Sequence, residues 1–285
     1  MKKKLSLLLA LLLLYPCLSA PAEEDEDLLI EEIVENVDLD AVTYGEVEWT
    51  FPIPLEDMNP EYIRLANKHY LLADDYVPQD LVKVPSKPKN GGIYWAVQPK
   101  GGQLLREECA QALCDMNAAI REAAEENGYR SLYLKSAYRS YQTQRTMYRN
   151  RLERNNGKDD GWVSLPGASD HQTGLGCDVI PKSWLKAAGM NSKMAKEPEC
   201  QWMAEHCHEY GFIIRYPENK QEITEIKYEP WHLRYVGIPV ATYIMENGLC
   251  LEEFVEQLNQ ACRDYIARGG DPDKVTKFIQ TPSDE

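Results

Sequence analysis

Residues 169–178 read Ser-Asp-His-Gln-Thr-Gly-Leu-Gly-Cys-Asp and place His171 seven positions before Asp178, with two glycines between them. Because glycine has no Cβ atom, its backbone can turn where other residues are hindered, which allows both side chains to reach one point. A short apolar strand is predicted at residues 177–181. The stretch therefore predicts a polar site where a tight loop enters a sheet.

The hydrophobic pattern on both sides of this stretch predicts helices mixed with short strands. The clearest helix is predicted at residues 104–127, where apolar residues recur at three- and four-residue steps before an Asn-Gly stop. Other helices are predicted at residues 59–73, 141–155, 198–210 and 251–267, and other strands at residues 131–137, 212–216 and 228–235. Strands and helices do not alternate regularly, so we predict an α+β fold, a small antiparallel sheet flanked by helices.

The N-terminal 22 residues have the layout of a secretory signal peptide. Three lysines precede an apolar run at residues 5–14, and small residues follow it. Cleavage after Ala22 is favoured because Ala20-Pro21-Ala22 forms a small-x-small site. The alternative is an uncleaved membrane anchor, the one membrane contact that the sequence suggests. We therefore expect an exported protein that is extracellular or associated with the cell envelope.

The rest of the chain is predicted to have three parts. Residues 23–58 form an acidic linker or spacer, residues 59–258 form the main domain, and residues 259–285 form a C-terminal helix and tail. The net charge of −15 over 285 residues makes nucleic acid a poor partner, because neutralising phosphates requires lysine and arginine. Seven cysteines follow the signal segment, an odd number that cannot all pair, and no CxxC pair suggests a thiolate zinc site.

A second motif, Glu229-Pro230-Trp231-His232, places a glutamate three positions before a histidine. A catalytic zinc ion requires three protein ligands and an open position for water. His171, Asp178 and His232 would supply two imidazoles and one carboxylate, a set that suits a Lewis acid. Glu229 is then the candidate general base, because it lies beside His232 in the same segment.

A third segment, residues 136–144, lies at a predicted strand-to-helix junction and contains Arg139. The fork of donors on a guanidinium group suits an oxyanion, so Arg139 is a candidate for stabilising an anionic intermediate. Spacing alone leaves open that both motif histidines are structural and that Arg139 is a surface cation. A nucleophilic Cys177 beside His171 is a further alternative.

At these motifs the sequence resembles the VanY-like family of zinc D-alanyl-D-alanine carboxypeptidases. The family signature SxHxxGxAxD is matched within residues 169–178, although Gly176 replaces the alanine and suggests a looser loop. The signature EPWHxRYVG is matched at residues 229–237, and YRSxxxQ is matched at residues 138–144. The resemblance covers residues 59–258.

The resemblance implies one zinc ion per chain, held by His171, Asp178 and His232, with Glu229 as general base. It also implies a fold with the small α+β sheet of D-Ala-D-Ala peptidases and of the Hedgehog signalling domain. The implied activity is removal of the C-terminal D-alanine from peptidoglycan stem peptides by metal-activated water.

The resemblance also implies substrate contacts. Arg139 and Gln144 would hold the scissile carbonyl and its developing oxyanion, and Ser169 and Tyr216 would lie near the C-terminal end of the substrate. Two other functions remain open. One is L,D-carboxypeptidase action on tetrapeptide stems, which would use the same residues. The other is a non-catalytic, zinc-stabilised binding module, which would require neither Glu229 nor Arg139.

Overall fold

The computed structural model describes residues 46–127 and 131–283. These residues divide into two units, one formed by residues 57–255 with 281–283 and the other by residues 46–56 with 256–280. The predicted signal peptide and most of the predicted acidic spacer lie outside the described residues. The domain bounds therefore remain predictions. Within the described ranges, no helix is both long and apolar enough to cross a bilayer.

The larger unit is built on a small mixed sheet. The strands described are β1 (Leu81–Lys83), β2 (Tyr94–Trp95), β3 (Leu104–Arg106), β4 (Tyr133–Ser136), β5 (Gly176–Ile180), β6 (Phe212–Ile214) and β7 (His232–Tyr235). Five of them form a sheet in the order β2-β4-β5-β7-β6, in which β2 runs parallel to β4 and the other neighbours are antiparallel. β1 and β3 form a separate antiparallel pair. The predicted α+β class is confirmed. The sheet differs from the predicted antiparallel one only in its edge strand β2, which runs parallel to β4.

Helices surround these strands, with most of their bounds close to the predicted ones. The α-helices described are α1 (Glu107–Asn127), α2 (Tyr141–Arg154), α3 (Pro198–His206), α4 (Gln221–Thr224), α5 (Ile238–Glu246), α6 (Leu251–Ala267) and α7 (Pro272–Val275). Helix α1 begins three residues later than predicted because the preceding residues form β3.

In the smaller unit, the Trp49 ring contacts Phe51 and Tyr265, with centroid distances of 6.0 and 5.9 Å.

Residues 59–73 were predicted to be helical, and this prediction is wrong. The segment consists of turns and a single β-bridge. The Asn59 side-chain oxygen accepts from the Glu61 amide at 3.0 Å, and the Asn67 side-chain oxygen accepts from the His69 amide at 2.9 Å. Asparagine side chains that bond nearby backbone groups in this way compete with helix formation.

The two faces of the central strands have different roles. Side chains alternate between the faces of a strand, and one face packs against α1 to form the core. Buried apolar residues of this core include Cys109, Leu113, Met116, Ile120, Leu134, Cys177, Val179 and Leu233. The alternation places Asp178, His232 and Arg234 on the opposite face, away from this core. One face of these strands therefore packs in the main core, and the other carries the three polar side chains.

All seven cysteines in the described ranges are buried free thiols. Burial raises the pKa of Cys114 to about 11, and burial raises the pKa of Cys200 to about 12. Because the thiolate is the reactive form, we predict that a water-soluble thiol reagent at neutral pH leaves all seven unmodified in the folded protein. Unfolding in denaturant should make all seven reactive. Mass spectrometry of peptides checks both results, and fast labelling of any of the seven before unfolding would contradict the buried core.

Candidate active site

The sheet register brings together the three side chains that the sequence singled out as metal ligands. β5 pairs with β7 so that Asp178 lies directly opposite His232. A 3-10 turn, Asp170–Thr173, precedes β5 and carries His171. One potential ligand atom from each side chain lies within 4.8 Å of the others, and all three residues are at least 95% buried.

Two glycines allow this turn to lie close to the strand. Gly174 has a φ of 69°, in the left-handed region that favours glycine. A Cβ atom at Gly176 would lie 2.9 Å from both the carbonyl carbon and the Cβ atom of Asp170. Gly176 therefore permits a close approach of the turn to β5, where the sequence had suggested a looser loop.

A hydrogen bond sets the tautomer of His171 and leaves the lone pair on the ring nitrogen that faces the cluster. Its Nδ1 lies 2.8 Å from the backbone carbonyl of Ala137, which can only accept, so Nδ1 carries the proton. Burial lowers the pKa of His171, which favours the neutral ring. The unprotonated Nε2 then faces a carboxylate oxygen of Asp178 at 3.4 Å.

Two acceptors that face each other in a buried site repel unless a cation lies between them. Burial acts to raise the pKa of Asp178, but the neighbouring imidazoles of His171 and His232 outweigh it when they are protonated and lower that pKa below its ordinary value. Asp178 is therefore an anion placed between two imidazoles. Two nitrogen ligands and one oxygen ligand, without sulfur, match known catalytic zinc sites. The residues present thus fit a metal ion of this kind.

Glu229 lies at the edge of this cluster. Its Oε2 is 3.4 Å from Nδ1 of His232, and the same nitrogen is 3.2 Å from Oδ1 of Asp178. Burial raises the pKa of Glu229, although His232 and Arg139 oppose the shift. A carboxyl group whose pKa is raised towards neutrality is well suited to accept and return a proton.

Arg139 supplies a fixed positive charge beside the cluster. Its Nη1 donates to Oε1 of Gln144 at 2.8 Å, and its Nη2 donates to Oγ of Ser136 at 3.0 Å. Nη2 is also 3.9 Å from Asp178. Because the two closest acceptors are neutral, they orient the guanidinium group without cancelling its charge.

The three predicted substrate-binding residues are all buried at this site. Both polar atoms of the Gln144 amide have partners in the protein. Oε1 accepts from Arg139, and Nε2 donates to the Ser164 carbonyl at 2.5 Å. Its observed contact is therefore with Arg139, and direct contact with substrate remains a prediction. The Tyr216 hydroxyl donates to Asp170 at 3.3 Å, while its ring faces His232 at a centroid distance of 4.9 Å. Ser169 lines the same cleft.

These residues open onto one cleft of about 350 Å³. Arg139, Glu229 and the three candidate ligands form its polar part. Its apolar part includes Met147, Trp162, Val163, Met190, Ile226 and Trp231. The rings of Trp162 and Trp231 stack at 6.4 Å and 6°. The cleft thus combines a few convergent polar groups with an apolar wall, as small-ligand sites do.

Two further residues lie outside this cluster. The side chain of His69, which the sequence does not single out, is 61% exposed and lies 3.5 Å from Glu225. Burial raises the pKa of Cys177 well above its ordinary value, and this residue packs in the hydrophobic core. A thiol held protonated in the core is a poor nucleophile, so the structure disfavours the Cys177 alternative.

Sequence reasoning missed a set of buried charges beside the cluster. Asp170 and the two arginines that bond to it are all 0% exposed. Arg215 directly follows the apolar strand β6, and Arg234 lies within β7. An arginine in such a position was the signal in the sequence, because it requires a buried partner.

Comparison with known proteins points to one family. The sequence pattern of the VanY family, described as D-alanyl-D-alanine carboxypeptidase, matches residues 102–238. The chain is 32% identical over 204 residues to the bifunctional D-Ala-D-Ala dipeptidase and D-Ala-D-Ala carboxypeptidase VanXYC of Enterococcus gallinarum. This match covers 71% of the present chain and 98% of VanXYC.

Two solved structures are also similar. The LdcB LD-carboxypeptidase matches with 37% identity and a TM-score of 0.58, over 75% of this chain and 93% of that one. A mutant of the vancomycin resistance D,D-pentapeptidase VanY, in complex with Zn(II), matches with 28% identity and a TM-score of 0.50. That match covers 68% of this chain and 99% of the other.

The cluster predicts the effect of removing one imidazole. His232→Ala should weaken Zn²⁺ binding by more than about 100-fold. Loss of a residue that only hydrogen-bonds to a metal ligand costs up to about 100-fold, and loss of a ligand should cost more. Competition with a chelator of known affinity measures this change. The control is His69→Ala, whose exposed ring is outside the cluster and whose loss should leave zinc affinity unchanged. A His232→Ala protein with wild-type zinc affinity would contradict the ligand assignment.

Proposed function

The chain belongs to the VanY family of D-alanyl-D-alanine carboxypeptidases, and on this premise we propose that it is a zinc-dependent enzyme acting on peptidoglycan stem peptides. We propose that it removes the C-terminal D-alanine of these peptides. The observation that carries the proposal is the meeting of two imidazoles and a carboxylate in one cleft with Glu229 and Arg139. A VanY structure in complex with Zn(II) supports the choice of metal.

His171, Asp178 and His232 are the residues that would hold the zinc ion. When bound, zinc supplies a Lewis acid that polarises the scissile carbonyl and lowers the pKa of water. Ala137 keeps the proton of His171 on Nδ1, so Nε2 is available as a ligand atom. A ligand histidine whose other nitrogen donates to a backbone carbonyl has a fixed tautomer and ring orientation.

Glu229 would carry out the proton transfers. Its carboxylate takes a proton from the attacking water as the new C–O bond forms at the carbonyl carbon of the peptide. It then returns this proton to the nitrogen of the departing D-alanine as the C–N bond breaks. The raised pKa of Glu229, caused by burial, suits both steps near neutral pH.

Arg139 would stabilise the negative charge that develops on the carbonyl oxygen. Its guanidinium group is held in place before the reaction by Gln144 and Ser136, so little reorganisation is needed. We propose that Gln144 acts through Arg139 and that Ser169 and Tyr216 lie near the terminal carboxylate of the substrate. Because peptidoglycan lies outside the cytoplasmic membrane, action on it agrees with the export expected from the N-terminal segment.

A second candidate function, L,D-carboxypeptidase action on tetrapeptide stems, is favoured by the similarity to the LdcB LD-carboxypeptidase. The proposed ligands, base and oxyanion cation serve either bond equally. A non-catalytic zinc module fits less well, because a structural site gains nothing from a buried glutamate and arginine that face a cleft.

The substrate is tested with two synthetic stem peptides. The zinc-loaded protein should release D-alanine from a pentapeptide that ends in D-Ala-D-Ala faster than from the corresponding tetrapeptide. Chromatography of the released amino acid measures both rates. Faster release from the tetrapeptide would establish the L,D alternative. Absence of release from both, with zinc bound and the fold intact, would contradict the carboxypeptidase proposal.

The proposed base is tested by Glu229→Gln, which keeps the size of the side chain and removes its basicity. We expect kcat to fall by about 10²- to 10⁴-fold, the usual contribution of a general base. Zinc content, measured by metal analysis, should remain one per chain. Glu222→Gln, which removes an exposed carboxylate, is the matched control and should have wild-type turnover. Wild-type turnover in Glu229→Gln would exclude Glu229 as the base.

A further inference from the structure

The carboxylate of Asp170 lies at the centre of a fully buried ion network. Its Oδ2 accepts from Nε of Arg215 at 2.6 Å, and its Oδ1 accepts from Nη1 of Arg234. The three side chains are 0% exposed. A carboxylate in this position has no water to solvate it, so the two arginines determine where it can lie.

The arginines are themselves held from their other sides. Arg215 donates to both carboxylate oxygens of Glu252, at 2.8 and 2.6 Å. Arg234 donates to the backbone carbonyls of Tyr62 and Arg64, at 3.0 and 2.7 Å. Two arginines and two carboxylates balance in charge, which is what makes burial of such a group tolerable.

The members of this network are neighbours of the candidate metal ligands along the chain. Asp170 immediately precedes His171, and Arg234 lies two residues after His232, on the same face of β7. The Asp170–Arg234 ion pair therefore ties the turn that carries His171 to the strand that carries His232.

The strand that carries the third candidate ligand, β5, contacts this network through Gly176. This residue lies opposite Arg234 in the β5–β7 register, just as Asp178 lies opposite His232. Because a Cβ atom at Gly176 would lie 2.9 Å from the Cβ atom of Asp170, the Asp170 side chain begins directly above β5. All three ligand-bearing segments thus meet around one carboxylate.

We propose that Asp170 is a positioning residue for the metal centre, which sets the distance between the imidazoles of His171 and His232 through its bond to Arg234. This proposal rests on the proposed function in taking these histidines as zinc ligands. Asp170 itself contacts neither substrate nor reacting atoms, since its oxygens are used by Arg215, Arg234 and Tyr216.

Glu252 provides a matched comparison within the same network. It binds the same Arg215 as Asp170 does, but it lies at the start of α6 and adjoins no candidate ligand. Asp170→Asn and Glu252→Gln each remove one negative charge without changing the size of the side chain. If the network only stabilises the fold, both variants should lose thermal stability and neither should lose more zinc affinity than the other.

We expect zinc affinity, measured by chelator competition on folded protein, to fall at least about tenfold in Asp170→Asn, as for other residues that orient metal ligands. The fall in Glu252→Gln should be much smaller, although the melting temperatures of both metal-free variants decrease. Equal zinc affinities in the two variants would overturn the positioning role. Failure of the wild-type protein to bind zinc or to release D-alanine would instead contradict the proposed function.

A second variant keeps the test decisive if Asp170→Asn does not fold. Arg234→Lys leaves every charge in place but removes the fork of donors that binds Asp170 and two backbone carbonyls together, so it should also weaken zinc binding. Arg149→Lys is the control, because the side chain of Arg149 is 69% exposed on α2. Wild-type zinc affinity in folded Arg234→Lys would count against the proposal.

Discussion

The cross-strand pairing of Asp178 with His232 is the constraint on which the rest of the site depends. It places a carboxylate beside an imidazole at the centre of the sheet, on the face opposite the hydrophobic core. A shift of one residue in the register would turn one of the two side chains into that core. The turn that carries His171 then has only to reach this pair. The chemistry of the site is in this sense a consequence of strand register.

Two buried polar clusters share this part of the molecule and differ in how their charges are satisfied. Around Asp170, two arginines and a second carboxylate balance one another within the protein. Around Asp178, the lone pair of His171 is directed at one carboxylate oxygen, and Nδ1 of His232 lies between the carboxylates of Asp178 and Glu229. The first cluster is complete without any ligand. The second gains a favourable arrangement when a cation joins it, which is why it suits a metal centre open to the cleft.

Much of this arrangement could be predicted from the sequence, because long elements and motif residues leave strong patterns. Helix α6 has the predicted bounds, and the three candidate ligands meet as expected. Strands of two or three residues, such as β2, are too short to show an alternating pattern. The helical periodicity at residues 59–73 was misleading, because its apolar residues Tyr62, Leu65 and Ala66 are buried by a segment of turns and not by a helix. The ion pairs of Asp170 join residues 45 and 64 positions apart, and spacing along the chain cannot show such contacts.

We expect the site to hold one metal ion through two imidazoles and one carboxylate, with a position left open towards the cleft. X-ray absorption spectroscopy at the zinc edge of the zinc-loaded protein tests this most directly. We expect two imidazole nitrogens, one carboxylate oxygen and a further light scatterer from solvent. A sulfur ligand at about 2.3 Å, or a single imidazole in the first coordination shell, would contradict it.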